Sequence, residues 1–178
     1  MTDEQLMHQV KNGKLGCLRT LFEKYQTPLY RFFLRNGRDQ ASAEDMVQNV
    51  FERILKYRNS FGSDKKFKPW AYSIAYNISK DEYRKRSNYQ VEDELDHHSI
   101  QQDNVMHKII RNETLSQAKR ALAKLSAEAQ EIIWLNWNEK MRYKEIGDVM
   151  GMTESAARVK AHRAIKKLQE EFQKLDLS

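Results

Sequence analysis

The chain has 178 residues, 40% of them hydrophobic, enough to bury one ordinary core or two small ones. Two prolines and six glycines leave few helix breakers among abundant Lys, Glu, Gln, Leu and Ala, so the composition favours an all-α protein and leaves no strand-rich stretch. The net charge of +6 is unevenly spread: residues 64–86 hold seven Lys/Arg against three Asp/Glu, residues 140–168 hold eight against three, and residues 87–103 hold five acids and no Lys or Arg. Two basic blocks around an acidic spacer suit two modules that each meet a polyanion.

A single cysteine, Cys17, excludes an internal disulfide framework, and its setting beside Leu15, Leu18 and Leu21 makes it a candidate core residue. The start Met1-Thr2-Asp3-Glu4 carries no leader pattern, and no apolar run approaches a membrane span. The sequence therefore predicts a soluble, cytoplasmic protein.

From Leu15 to Phe33, Leu18, Leu21, Phe22, Tyr25, Leu29 and Phe32 recur at helical spacing, with Pro28 expected to bend or divide the helix. Ala43, Met46, Val47, Val50, Phe51, Ile54 and Leu55 then form an uninterrupted apolar stripe, and Ser42 with Asp45 resembles a capping pair. The opposite side of that helix, Glu44, Asp45, Gln48, Asn49, Glu52 and Arg53, is continuously polar. A loop around Phe61-Gly62-Ser63-Asp64 follows, and Pro69 is placed to be the first residue of a helix reaching about Arg86.

Ser87 to Asn104 lacks apolar periodicity and reads as a flexible acidic linker. A second module opens with a helix built on Val105, Ile109, Ile110, Leu115, Ala118, Leu122 and Leu125. Ser126 is placed to cap the next helix, which buries Ala129, Ile132 and Ile133, with Trp137 a further candidate. Helices at about Tyr143–Met150 and Thr153–Leu175 follow, parted only by Gly151-Met152.

No catalytic constellation emerges. The five histidines sit at no tight metal spacing with Cys or carboxylates, His97-His98 falls in the expected linker, and no phosphate-cradling glycine loop, nucleophile elbow or HExxH is present. The sequence predicts no enzyme, no metal and no cofactor.

Two patterns point instead to nucleic acid. The short helix, the turn at Gly151 and the Thr153-capped second helix have helix-turn-helix spacing. On the second helix Ala157, Ala161, Ala164 and Leu168 fall within about 60° of one another and form a core stripe. Ser155, Arg158, Val159, His162, Arg163 and Lys166 then face outward, toward a major groove, with Arg158 and Arg163 suited to guanine edges or phosphate and Lys144 and Lys160 to backbone phosphates. An ordinary helical hairpin with a basic solvent face is the alternative.

The helix after Pro69 has two faces. With Trp70 at zero, Ile74 and Ile78 lie at about 40° and 80°, and Tyr72, Tyr76 and Tyr83 near 200–240°. Those tyrosines, bordered by Lys80, Arg84, Lys85 and Arg86, suit a stacking platform for single-stranded nucleic acid, with a second packing surface as the competing reading. Trp70 is expected in the core.

Taken together, Ala43–Phe51, then Phe67-Lys68-Pro69-Trp70-Ala71-Tyr72-Ser73-Ile74-Ala75-Tyr76-Asn77 and Asp81, then the helix-turn-helix ending His162-Arg163-Ala164, resemble the extracytoplasmic-function sigma factors of bacterial RNA polymerase in content, order and spacing. The resemblance implies two small helical domains. Residues 1–86 would form sigma region 2, residues 87–104 the linker and residues 105–178 sigma region 4. It further implies core RNA polymerase docking through Asp45, Gln48, Asn49 and Glu52, and recognition and melting of the minus-ten element by the loop and helix matching Phe61–Arg86, through Phe67, Lys68, Tyr72, Tyr76, Asn77 and Lys80, with Arg84 beside them. Region 4 would read the minus-thirty-five duplex, and an anti-sigma factor is an implied partner. Ala156-Ala157, Lys160, Ala161 and Ser73 depart from the common family residues. Two competing classes are a conventional helix-turn-helix regulator with a sensing or dimerising N-terminal half and an RNA-binding accessory protein.

Overall fold

The computed structural model describes residues 1–89 and 117–176, and among them every regular element is helical. The chain divides into two compact units, Met1–Ile100 and Gln101–Ser178. The expected linker from residue 90 onward, and the part of the following helix from Val105 to residue 116, lie outside the described residues.

The first unit contains α1 (Asp3–Lys11), α2 (Gly16–Arg35), α3 (Gln40–Lys56), a short 3-10 turn (Arg58–Ser60) and α4 (Phe67–Tyr89). Helix α1 is absent from the sequence-based expectation. It opens with a reciprocal cap: the Gln5 amide donates to the Thr2 hydroxyl at 3.2 Å, and the Thr2 amide donates to Gln5 Oε1 at 2.8 Å. It then buries Leu6, Met7 and Val10, a three-residue stripe on a nine-residue helix.

Pro28 does not divide α2, which runs unbroken from Gly16 to Arg35. The core that Leu21, Tyr25, Leu29, Phe32 and Phe33 enter holds the helix together across the missing amide hydrogen. Cys17 is only half-buried and Leu15 is exposed, so this end of α2 lies at the rim of the core. In α3 the cap is Asp39, not Ser42: the Ser42 amide and hydroxyl both donate to the Asp39 carboxylate, at 2.9 and 2.7 Å, which starts the helix at Gln40. Its stripe buries Ala43, Met46, Val47, Val50, Phe51 and Ile54, while Leu55 is half-buried.

Helix α2 packs on α1 and α3, and α4 closes the bundle against α3 and α1. Edge-on aromatic pairs fill the gaps, Phe22 on Phe51 at 4.9 Å and Tyr25 on Phe67 at 5.1 Å. Helix α4 begins two residues ahead of the expected Pro69, which sits within the first turn where no amide hydrogen is needed, and it continues past Arg86 to Tyr89.

The second unit contains helical residues 117–123, α5 (Ala127–Trp137), α6 (Tyr143–Met150) and α7 (Glu154–Asp176). Ser126 caps α5 by accepting from the Ala129 amide at 3.2 Å. Ala121, Leu125, Ile133, Ala164 and Leu168 form one buried cluster, flanked by Leu122, Ala129 and Phe172. Trp137, a candidate core residue from the sequence, is 46% exposed.

Candidate nucleic-acid interface

Helices α6 and α7 are held at a tight corner. Glu145 reaches back so that the Arg142 amide donates to its carboxylate at 2.8 Å, fixing the start of α6. Gly151 ends α6 in the left-handed region at φ 71°, and the Thr153 hydroxyl accepts from the Ala156 amide at 3.1 Å to start α7. Gly147 lets the corner close: a Cβ there would stand 2.6 Å from the Met152 carbonyl oxygen. Ala157, Ala161, Ala164 and Leu168 are all buried, and their small size brings α7 close against α5 and α6.

With that stripe inward, Ser155, Arg158, Val159, His162, Arg163 and Lys166 are exposed on α7, as is Lys144 on α6. Arg158 is not loose. It donates to Glu154 one turn earlier at 2.7 Å, and its guanidinium sits 5.7 Å from the centre of the Tyr143 ring on α6. Glu154 and Tyr143 therefore set the pose of Arg158, and the i, i+4 spacing of Glu154 and Arg158 is a signal the sequence carried. Lys160 departs from its expected phosphate-facing place: it is half-buried, with its ammonium 2.7 Å from both carboxylate oxygens of Glu128 on α5.

Helix α4 overturns part of the expected single-strand surface. Phe67 and Tyr72 are completely buried. Tyr72 packs edge-on against Phe32 at 5.8 Å, and Phe67 joins the rings of Tyr25, Phe61 and Trp70. The reason is the width of the buried arc. Counted from Trp70, Ile78, Ala71, Ala75 and Tyr72 fall at about 80°, 100°, 140° and 200°, so the face is centred on the two alanines and not on Trp70. Trp70 itself is half-buried.

What remains outward is Asn77, Lys80 and Arg84, with Tyr83 68% exposed beyond them. Tyr76 is half-buried under the Lys80 ammonium, 5.5 Å from its ring centre, and the Lys68 ammonium lies 5.9 Å from the edge-packed Tyr72. The polar side of α3 exposes Asp45, Gln48 and Glu52, whereas Asn49 is half-buried and accepts from Arg53 Nε at 3.1 Å. Arg53 in turn reaches Asp81 on α4 at 3.5 Å. Glu44 and Gln48 also line a groove of about 420 Å³ between α2 and α3, with Phe22, Gln26 and Tyr30 opposite.

Among the described residues no group of three or more His, Cys, Asp or Glu could hold a metal ion, and no helix is long and apolar enough to cross a membrane.

The family profile for sigma-70 region 2 matches residues 21–89, and that for sigma-70 region 4 matches residues 121–170, so the two fall on the two units and account for most of the chain. An RNA polymerase sigma factor, CarQ of Myxococcus xanthus, is 28% identical, with 96% of this chain and 98% of that protein covered. The extracytoplasmic-function sigma factor SigW of Bacillus subtilis is 23% identical, with 98% of this chain and 99% of that protein covered. The fold matches that of CnrH, solved with the cytosolic domain of CnrY, at a TM-score of 0.69 and 21% identity, with 94% of this chain and 95% of that one covered. It also matches RpoE, solved with the anti-sigma factor NepR from Bartonella quintana, at a TM-score of 0.63 and 22% identity, with 87% of this chain and 96% of that one covered.

A region 2 bundle and a region 4 helix-turn-helix on one chain define a transcription initiation factor of the sigma-70 type. With relatives of that group aligned along nearly its whole length, the chain belongs to the extracytoplasmic-function sigma factors.

Proposed function

We propose that this sigma factor acts without catalysis, in the cytoplasm, by holding core RNA polymerase and promoter DNA at once. Residues 1–86 form the polymerase and minus-ten module, residues 105–178 the minus-thirty-five module, and residues 87–104 the connection. The observation that carries the reading is α7: its alanine stripe is buried and its opposite side presents Ser155, Arg158, His162, Arg163 and Lys166. A helix so divided suits a major groove, with the arginines at base edges or phosphate.

In the first module Asp45, Gln48 and Glu52 form the polymerase-facing surface, with Asn49 contributing through Arg53. Lys68, Tyr76, Asn77, Lys80 and Arg84 face the minus-ten strand, and Phe67 and Tyr72 support them from the core. CnrH and RpoE are each known in complex with a partner, CnrY and the anti-sigma factor NepR, which supports an anti-sigma factor as a regulator of this chain.

Transcription in vitro with purified core enzyme tests the whole reading. Promoter-specific starts that require both this chain and core are expected; tight operator binding by the chain alone, with no effect on start sites, would assign it to a conventional regulator. Asp45→Ala combined with Gln48→Ala is expected to weaken core affinity by about tenfold, on the order of 1.4 kcal/mol, with an unchanged melting curve because both side chains are exposed. A wild-type pull-down with core would remove these two from the docking surface. Arg158→Ala is expected to reduce upstream-element affinity by about 1–3 kcal/mol and to relax base preference there. Its pair with Glu154 is exposed and worth at most about 1 kcal/mol, so stability changes little; an unaltered footprint would exclude a base contact.

A further inference from the structure

We propose that α1 clamps the loop between the 3-10 turn and α4 for promoter opening, with Glu4 and Lys11 as positioning residues. The inference rests on the reading of this loop and α4 as the minus-ten surface, and α1 lies outside the residues matched to region 2.

Both ends of the loop are held by one face of one helix. Lys11 Nζ donates to the Phe61 carbonyl at 3.0 Å, and the Phe67 amide donates to Glu4 Oε1 at 3.3 Å. The His8 ring lies between these contacts in sequence, 5.3 Å from the ring of fully buried Phe61. Positions 4, 8 and 11 follow the i, i+4, i+7 spacing of a single helix face, so the grip is a property of α1 as a unit. Lys24 and Tyr25 of α2 hold α1 in turn through the Asp3 carboxylate, at 2.8 and 2.6 Å.

The Glu4 contact is also electrostatic. Partial burial alone would raise its carboxyl, but donation from its own amide, the Phe67 amide and the Thr2 hydroxyl, with Lys66 nearby, holds it below its ordinary value. An anion is thereby kept at the N-terminal end of α4, where the helix dipole favours it.

Between the clamped ends the loop turns tightly. The Lys65 amide donates to the Gly62 carbonyl at 3.2 Å, and a Cβ on Gly62 would stand 2.8 Å from Asp64 Oδ1. Ser63, Asp64, Lys65 and Lys66 are left exposed at the tip, a hydroxyl, a carboxylate and two ammonium groups. Such a set can meet the hydrogen-bonding edge of a base drawn from the duplex. Drawing out a base costs unstacking energy, and a receiving loop that first had to be ordered would add its entropy to the same barrier. A clamp removes that addition, so its loss acts on opening more than on binding.

The test compares Lys11→Met and Glu4→Ala with Lys11→Arg and Glu4→Gln, which keep a donor and an acceptor. Full-length protein is assembled with core enzyme, and opening is followed by permanganate reactivity of minus-ten thymines on duplex promoter. The first pair is expected to open several-fold more slowly with unchanged core affinity and unchanged upstream footprint, and the second pair to recover most of the rate. Wild-type opening by Lys11→Met and Glu4→Ala overturns the clamp, as does a parallel fall in core affinity, footprint and opening, which marks general destabilisation. A tip variant, Ser63→Ala with Asp64→Ala and Lys65→Ala, separates the two levels. If it fails to open while the α1 variants open normally, the loop reading stands and the clamp falls; if it opens normally, the loop reading falls and takes the clamp with it.

Discussion

Tyr72→Ala is expected to destabilise the first unit severely, whereas Tyr72→Phe is expected to leave both fold and promoter opening nearly intact. The side chain is completely buried and packs edge-on to Phe32 at 5.8 Å. Truncating a buried aromatic to alanine costs about 3–5 kcal/mol, a large part of the roughly 5–15 kcal/mol that holds a small domain together. The phenylalanine variant loses only a hydroxyl and keeps the ring and its packing against Phe32, so its change in stability is small. Urea titration of the full chain reads the first effect and permanganate mapping with core enzyme the second. A folded Tyr72→Phe protein that cannot open promoters would put the hydroxyl in contact with DNA and refute its place in the core.

Gly147→Ala should weaken upstream-element binding by about fivefold or more. Alanine is normally the better helix former by close to 1 kcal/mol, so propensity alone predicts a gain. Here the added carbon would meet the Met152 carbonyl oxygen at 2.6 Å, and the next nearest atoms, in Thr153 and Glu154, are also backbone. None can swing aside as a flexible side chain would, so the corner must open and α7 must shift; overpacking of this kind costs about 1–3 kcal/mol. Electrophoretic shift of the reconstituted holoenzyme on a promoter that depends on its upstream element measures the outcome. Affinity equal to wild type would mean the corner tolerates the carbon and its geometry does not set recognition.

The parts of the molecule legible in sequence are those where one apolar stripe is opposed by one polar face. Helix α3 buried the residues its spacing named, apart from a half-buried Leu55, and α7 buried its four predicted positions. Helix α4 misled because its core face is broad and centred on Ala71 and Ala75: small residues carry little hydrophobic signal, and the large ones flank them on both sides, so Tyr72 read as belonging to a separate surface. Helix α1 leaves little hydrophobic signal because it is short and mostly polar, although Thr2 and Gln5 spell its cap. Lys160 illustrates a third limit. Its partner Glu128 lies 32 residues away, on another helix, and no local pattern announces the pair.

Helix α7 spans 23 residues, roughly 35 Å at 1.5 Å each. The side chains proposed to meet DNA run from Ser155 to Lys166, while Ala164, Leu168 and Phe172 lie in or against the buried cluster of the second unit. Proposed reading head and keel are thus one continuous helix, so a cavity opened beneath Leu168 would tilt Arg158, ten residues ahead of it. If α7 reads the promoter as proposed, promoter choice can drift through substitutions that never touch a base.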